Sequence, residues 1–176
     1  MYINEGNGIS GELEMVSRIR DTGEVVDHFK DHNIITKSGL DGLVRRLTTA
    51  NDSDGYVFQF VLGNDVGTGN LFAPEPENDN ISEGDQQVIY EVPANRMTFE
   101  YPQPGKIRVS TVLKGNEIMN LSQFSGEVDI RYTSASTRFR NGGVFSYKRF
   151  PVRALSFYID ISLAWTFTFY ANKEGA

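Results

Sequence analysis

From Phe157 to Phe169 every odd position is apolar: Phe157, Ile159, Ile161, Leu163, Trp165, Phe167 and Phe169. The even positions between them are Tyr158, Asp160, Ser162, Ala164, Thr166 and Thr168, with Tyr170 following. A helix turning 100° per residue would scatter such a set around its axis, whereas an extended strand places it on one face. The segment is therefore β. At about 3.3 Å per residue the run would reach about 45 Å, beyond the usual strand of about 17 to 20 Å. It is expected to bend or break midway, or to complete an interface as well as a core.

Similar patterns recur upstream. Glu12 to Arg20 and Glu24 to Ile35 read as a hairpin closed by Asp21-Thr22-Gly23. Leu40, Leu43, Val44 and Leu47 fall at i, i+3, i+4 and i+7, which predicts one short helix over Thr36 to Leu47. Thr36 or Ser38 can cap it, and Gly39 and Gly42 weaken it. Tyr56 to Leu62 is apolar on both parities, as in a central strand covered on both faces. The stretch from about 64 to 85 is acidic, glycine-rich and aperiodic, and loops of that length are uncommon unless functional or disordered. Short strands follow at Gln87 to Val92, Met97 to Tyr101, Lys106 to Leu113, Gly126 to Tyr132 and Val144 to Phe150, with Pro102-Gln103-Pro104-Gly105 turning the second into the third.

The 176 residues fit a single domain, and 12 Phe, 8 Tyr and 17 Gly favour strands and turns. No cysteine is present, which removes disulfides, thiolate metal sites and cysteine nucleophiles. Neither a signal peptide nor a long apolar run is visible, so the expectation is a soluble protein made in a reducing compartment, with no membrane partner. A net charge of −6 argues against general nucleic-acid binding. That charge is divided unevenly. Residues 1 to 85 carry 6 basic and 16 acidic side chains, and residues 86 to 176 carry 11 and 7. One half can attract the other, within a subunit or between neighbours.

Asp27-His28-Phe29-Lys30-Asp31-His32 holds both histidines, but on a strand they face away from the two aspartates, so a solvated strand face is a better reading than a metal site. A Ser-His-Asp nucleophile lacks any Gly-x-Ser-x-Gly elbow. Gly63-Asn64-Asp65-Val66-Gly67-Thr68-Gly69 has neither the lysine of a phosphate loop nor the spacing of a dinucleotide fingerprint. Asn51-Asp52-Ser53-Asp54-Gly55 has only part of a calcium loop, and the sequons at Asn51, Asn80 and Asn120 read as chance. Paired carboxylates are always available among 23 acidic residues and specify nothing. No cofactor is called for. Arg138, Arg140, Lys148, Arg149 and Arg153 lie among Phe139, Phe145, Tyr147 and Phe150. Such a cluster suits a basic sheet face better than single-strand stacking in an acidic chain, and it can also dock an acidic segment of a neighbouring copy.

His32-Asn33-Ile34-Ile35-Thr36, then Gly39-Leu40 and the helix, then Val61-Leu62-Gly63 with Gly67-Thr68-Gly69 and Ala73-Pro74 form an ordered series. It ends in Phe145-Ser146-Tyr147-Lys148-Arg149-Phe150-Pro151-Val152 and Ala164-Trp165-Thr166-Phe167-Thr168-Phe169. This order resembles virion structural proteins of tailed bacteriophages, of the tail, baseplate, collar or fibre-attachment type, over most of the chain from residue 32. The resemblance implies an assembly role in the virion and no catalytic residues.

The resulting expectation is one antiparallel β-sandwich over residues 1–176, of which a jelly roll is one form, with one short helix and an acidic loop at about 64–85. Its function is non-enzymatic assembly with itself and other virion proteins. The expected contacts are Asp65, Glu75, Glu77, Asp79, Glu83 and Asp85 on the acidic side and Arg138, Arg140, Lys148, Arg149 and Arg153 on the basic side. The alternatives are a carbohydrate-binding or receptor-binding module and, less favoured, a glycan-acting enzyme, for which two carboxylates must converge in a cleft.

Overall fold

A computed structural model describes residues 8–48, 59–67, 78–139 and 143–170. The strands are β1 (Ile9–Ile19), β2 (Val25–Ile35), β3 (Gln59–Asp65), β4 (Gln86–Glu91), β5 (Thr98–Glu100), β6 (Lys106–Lys114), β7 (Asp129–Arg138), β8 (Val144–Ser156) and β9 (Ile159–Phe169). Among the described residues two short α-helices accompany them, α1 (Lys37–Thr48) and α2 (Gly115–Met119), where one was expected. The fold is mainly β, as the alternation requires.

All nine strands join one antiparallel sheet in the order β4-β3-β7-β8-β2-β1-β9-β6-β5, curled into a half-barrel. The expected sandwich of two stacked sheets is thus replaced by a single sheet bent on itself. The bend lies at β2. This strand pairs with β1 from Asn33 to Val25, but with β8 only through Ile34↔Tyr147 and Ile35↔Ser146. Beyond that corner the two halves face each other. Phe60 of β3 stacks on Trp165 of β9 with ring centroids 6.0 Å apart, and Phe145 of β8 meets Phe167 of β9 edge-on at 5.2 Å. A period-2 pattern marks only one inward and one outward face per strand, and a bent sheet meets that condition as well as two sheets do.

β9 is paired on both sides along its length, with β1 from Ile9↔Phe169 to Ile19↔Ile159 and with β6 from Lys106↔Thr168 to Lys114↔Asp160. It is unbroken across its 11 residues, and Phe157 falls in the preceding turn and shortens the run. Trp165 and Phe167 are both 0% exposed within the one chain. Their expected share in an interface is therefore not realised.

The hairpin forms as expected, and α1 follows β2 with Thr36 as its cap, the Thr36 hydroxyl accepting from the Gly39 N–H at 2.8 Å. Leu40 and Leu43 of α1 pack on the core, while Val44 is exposed, contrary to the expected apolar face. Gly39 weakens helix propensity but lets α1 lie against the β8 backbone, since a Cβ there would overlap Phe145. β3 extends to Asp65, so Asn64 and Asp65, expected in the loop, belong to the sheet.

Candidate functional site

A register shift between Tyr132 and Ser134 changes which parity of β7 faces outward. Beyond it, Ser134, Ser136 and Arg138 pair with Gly63, Val61 and Gln59 of β3, and on the other side with Arg149, Tyr147 and Val144 of β8. This outer face would ordinarily be solvated. Here Asp65, Gln86, Ser134, Ser136, Arg138, Tyr147 and Arg149 are all buried.

The buried groups form two linked knots. The Asp65 carboxylate accepts from the Tyr147 hydroxyl at 2.7 Å and lies 2.8 Å from Arg149 Nε, while the Asp65 N–H donates to Thr133 Oγ1 at 2.9 Å. The Gln86 amide donates to Ser134 Oγ at 2.9 Å and accepts from Ser136 Oγ at 2.6 Å and from Arg138 Nη2 at 2.9 Å. Burial pushes the Tyr147 phenol well above its ordinary value, and the Asp65 carboxylate adds to the shift against the lowering hydrogen bond with Ser134. Burial also lowers the pKa of Arg138.

The end of the acidic stretch covers this face. Ile81 packs with Val144 and Tyr147, Val66 N–H donates to the Asp85 carbonyl at 2.9 Å, and Lys37 N–H donates to the Asp79 carbonyl at 2.9 Å. Lys37 Nζ also pairs with Asp79 at 3.5 Å. Asp85 closes a short 3-10 turn, Glu83–Asp85, its carboxylate accepting from the Ser82 N–H at 2.8 Å. The segment acts as a strap that seals a polar patch.

Four of the expected contact residues, Asp65, Asp85, Arg138 and Arg149, thus come together within one subunit. Asp79 pairs with Lys37 beside them, and Glu83 is exposed on the strap. Lys148 and Arg153 lie elsewhere, where β2 and β8 part: Lys148 Nζ meets Asp31 at 2.8 Å and Arg153 Nε meets Asp27 at 2.9 Å. Arg153 also lies over the rings of Phe29 and Phe150, 4.6 and 5.2 Å from their centroids. Glu75, Glu77 and Arg140 fall outside the described residues.

His28 stands 3.7 Å from Glu14 on the opposite face of β2 from Asp27 and Asp31, as alternation requires, and no group of three or more ligating side chains could hold a metal among the described residues. Gln86, Ser134 and Ser136 were not singled out from the sequence, and Tyr147 was named only as an aromatic among the basic residues. The one signal for the two serines is the run Thr133-Ser134-Ala135-Ser136-Thr137, four hydroxyl residues and an alanine where a strand core would carry branched apolar ones. Chemically the patch is a polar seam within the sheet: the Asp65 carboxylate faces the Arg149 guanidinium across β7, and the Gln86 amide joins β4 to Ser134, Ser136 and Arg138 of β7. No family model, curated protein or solved structure matches the chain.

Proposed function

We propose that the protein is a non-enzymatic structural component of a tailed-bacteriophage particle, made in the host cytoplasm, that assembles with itself and with neighbouring virion proteins. The sequence resemblance from residue 32 onward suggests the class. One observation carries the assembly role: an apolar rim at one end of the half-barrel. Val25 and Val26 open β2, Val128 precedes β7, and Phe157 and Tyr158 form the turn between β8 and β9. The register places all of them at the same end, through Arg18↔Val25, Ile19↔Ile159 and Asp129↔Ser156. All five are exposed, Val128 at 86%. Exposed apolar residues gathered at one end in this way suit a surface that another protein covers.

Light scattering of the purified chain and of Val128→Asp with Tyr158→Asp tests this. The expected result is a wild-type oligomer that the double substitution converts to monomer with unchanged circular dichroism. A wild-type chain that stays monomeric at millimolar concentration, or an oligomer indifferent to the substitutions, would defeat the reading.

A carbohydrate-binding or receptor-binding role is the second reading, and one feature favours it. Tyr101, 73% exposed, lines a shallow depression of about 590 Å³ with Pro102, Gln103, Pro104 and Phe169. An exposed aromatic face beside an amide suits a sugar ring. Glycan-array binding lost in Tyr101→Ala would support it, and an array without reproducible signal would count against it.

A further inference from the structure

Arg138 ends β7 on the outer face and is 7% exposed. A guanidinium so deeply placed ordinarily faces a carboxylate, because an uncompensated charge in a low-dielectric interior is strongly disfavoured. Arg149, Lys148 and Arg153 obey that rule with Asp65, Asp31 and Asp27. Arg138 does not. Its Nε donates to Ser136 Oγ at 3.4 Å and its Nη2 to Gln86 Oε1 at 2.9 Å, both neutral. Glu83 and Glu91 act on it only through space, and the Glu91 carboxylate accepts from Gln59, the β3 partner of Arg138, at 3.2 Å. Among the described residues, no carboxylate lies within ion-pair distance of it.

An arginine carries five N–H donors in a flat fork, and two of them account for the hydrogen bonds of Arg138 to other described residues. No described residue takes the Nη1 side of the fork, the edge that grips oxyanions bidentately. A well-packed apolar residue of similar volume generally serves a fold as well as a buried charge does. Stability alone thus gives no reason for a charge at this position.

We propose that Arg138 is a receptor for an oxyanion, carboxylate or phosphate, that arrives from outside the subunit and docks on the Nη1–Nη2 edge of its guanidinium. Ser136 and Gln86 hold that guanidinium in place, and Gln86 is itself anchored by Ser134. The oxyanion is either a free ion or an acidic side chain of a second copy. The proposal stands apart from the assembly reading, since a monomer can bind a free anion.

Thermal melts of wild type and Arg138→Met in sodium chloride, acetate and phosphate, at equal ionic strength and pH 7, test it. Acetate or phosphate is expected to raise the wild-type midpoint by about 2–4 °C over chloride and to leave Arg138→Met unmoved. In chloride the variant is expected to melt no lower than wild type. Equal responses to the anions, or a variant melting several degrees lower in chloride, overturn the proposal. Should the variant fail to fold, the side-chain Nε–Hε resonance of Arg138 in wild-type protein titrated with phosphate decides, and a resonance that does not move rejects the site. Light scattering separates the sources. An oligomer that phosphate dissociates in wild type places the oxyanion on a second copy, whereas anion binding without a change of mass makes it a free ion.

Discussion

The carboxylate of Asp65, at the end of β3, lies 2.8 Å from Nε of Arg149, in the middle of β8, and both side chains are shut away from solvent. β7 separates the two strands in the sheet, so the pair reaches across a strand and ties the face together beneath the strap. Charges read from the sequence as surfaces for a neighbour are here opposed within one subunit. That arrangement is costly to break on one side only. Asp65→Ala is expected to lower stability by about 3–5 kcal/mol, and Arg149→Met by a similar amount, because each removes the opposite charge that faces a buried group at 2.8 Å. The joint Asp65→Ala, Arg149→Met chain should lose far less than the sum. Urea midpoints of the four chains check this, and additive losses would mean the pair is not coupled.

Tyr132 and Tyr147 lie in the interior, and burial holds both phenols far above the ordinary value of 10.0. A group whose pKa is raised by folding contributes stability that is complete below its unfolded value and is lost as pH rises toward the folded one. Absorbance at 295 nm should therefore show these two lagging behind the exposed tyrosines and ionising only as circular dichroism reports loss of the sheet. Replacing both with Phe should remove the late step. A single ionisation near pH 10 with the sheet intact would contradict their burial.

Asp31 titrates in the opposite sense. Burial alone would raise its pKa, but the hydrogen bond and charge of Lys148, with the His32 N–H, hold it below the ordinary 3.8. The contribution is fully present above about pH 4 and falls away as acid protonates the folded carboxylate. It is small, because Asp31 is half exposed. The stability difference between wild type and Asp31→Asn, read from urea midpoints at pH 7 and at pH 2.5, should shrink at the lower pH. A difference independent of pH would remove this contact from the acid limb.

Trp165 donates from its indole N–H to Asn33 Oδ1 at 2.7 Å, and the Asn33 amide in turn donates to the Ile34 carbonyl at 2.9 Å. Asn33→Leu should cost about 1–3 kcal/mol by leaving the indole N–H without an acceptor. Gly11, the β1 partner of Asn33, has no side chain because that amide occupies the place of its Cβ. Gly11→Ala should displace the amide and lower the urea midpoint in the same direction as Asn33→Leu. The double variant should lose less than the two losses combined, since both break one hydrogen bond, and full additivity would show that the amide is not the link.

Much of this fold is legible in the order of residues. The alternation of β9, the β1–β2 hairpin and the capped α1 are local, set by the side-chain period and by Thr36, and they appear where pattern and capping place them. The polar patch was legible only as separate charges. Asp65 and Arg149 are far apart in the chain, and nothing local says that a shift in register beyond Tyr132 brings them to one face.

The sequence by itself determined that the chain is mainly β, which residues of the regular strand β9 share a face, and where the first helix begins, because these depend on neighbours within a few positions. Only the tertiary structure decided that the strands close into one curled sheet instead of two, that Trp165 and Phe167 serve the core alone, and that Arg149 has a carboxylate where Arg138 has an amide and a hydroxyl. Those outcomes depend on which strands pair, where β2 leaves β8, and how a strap folds back. Contacts of that kind join distant parts of the chain, and they acquire their energies only once the sheet has formed.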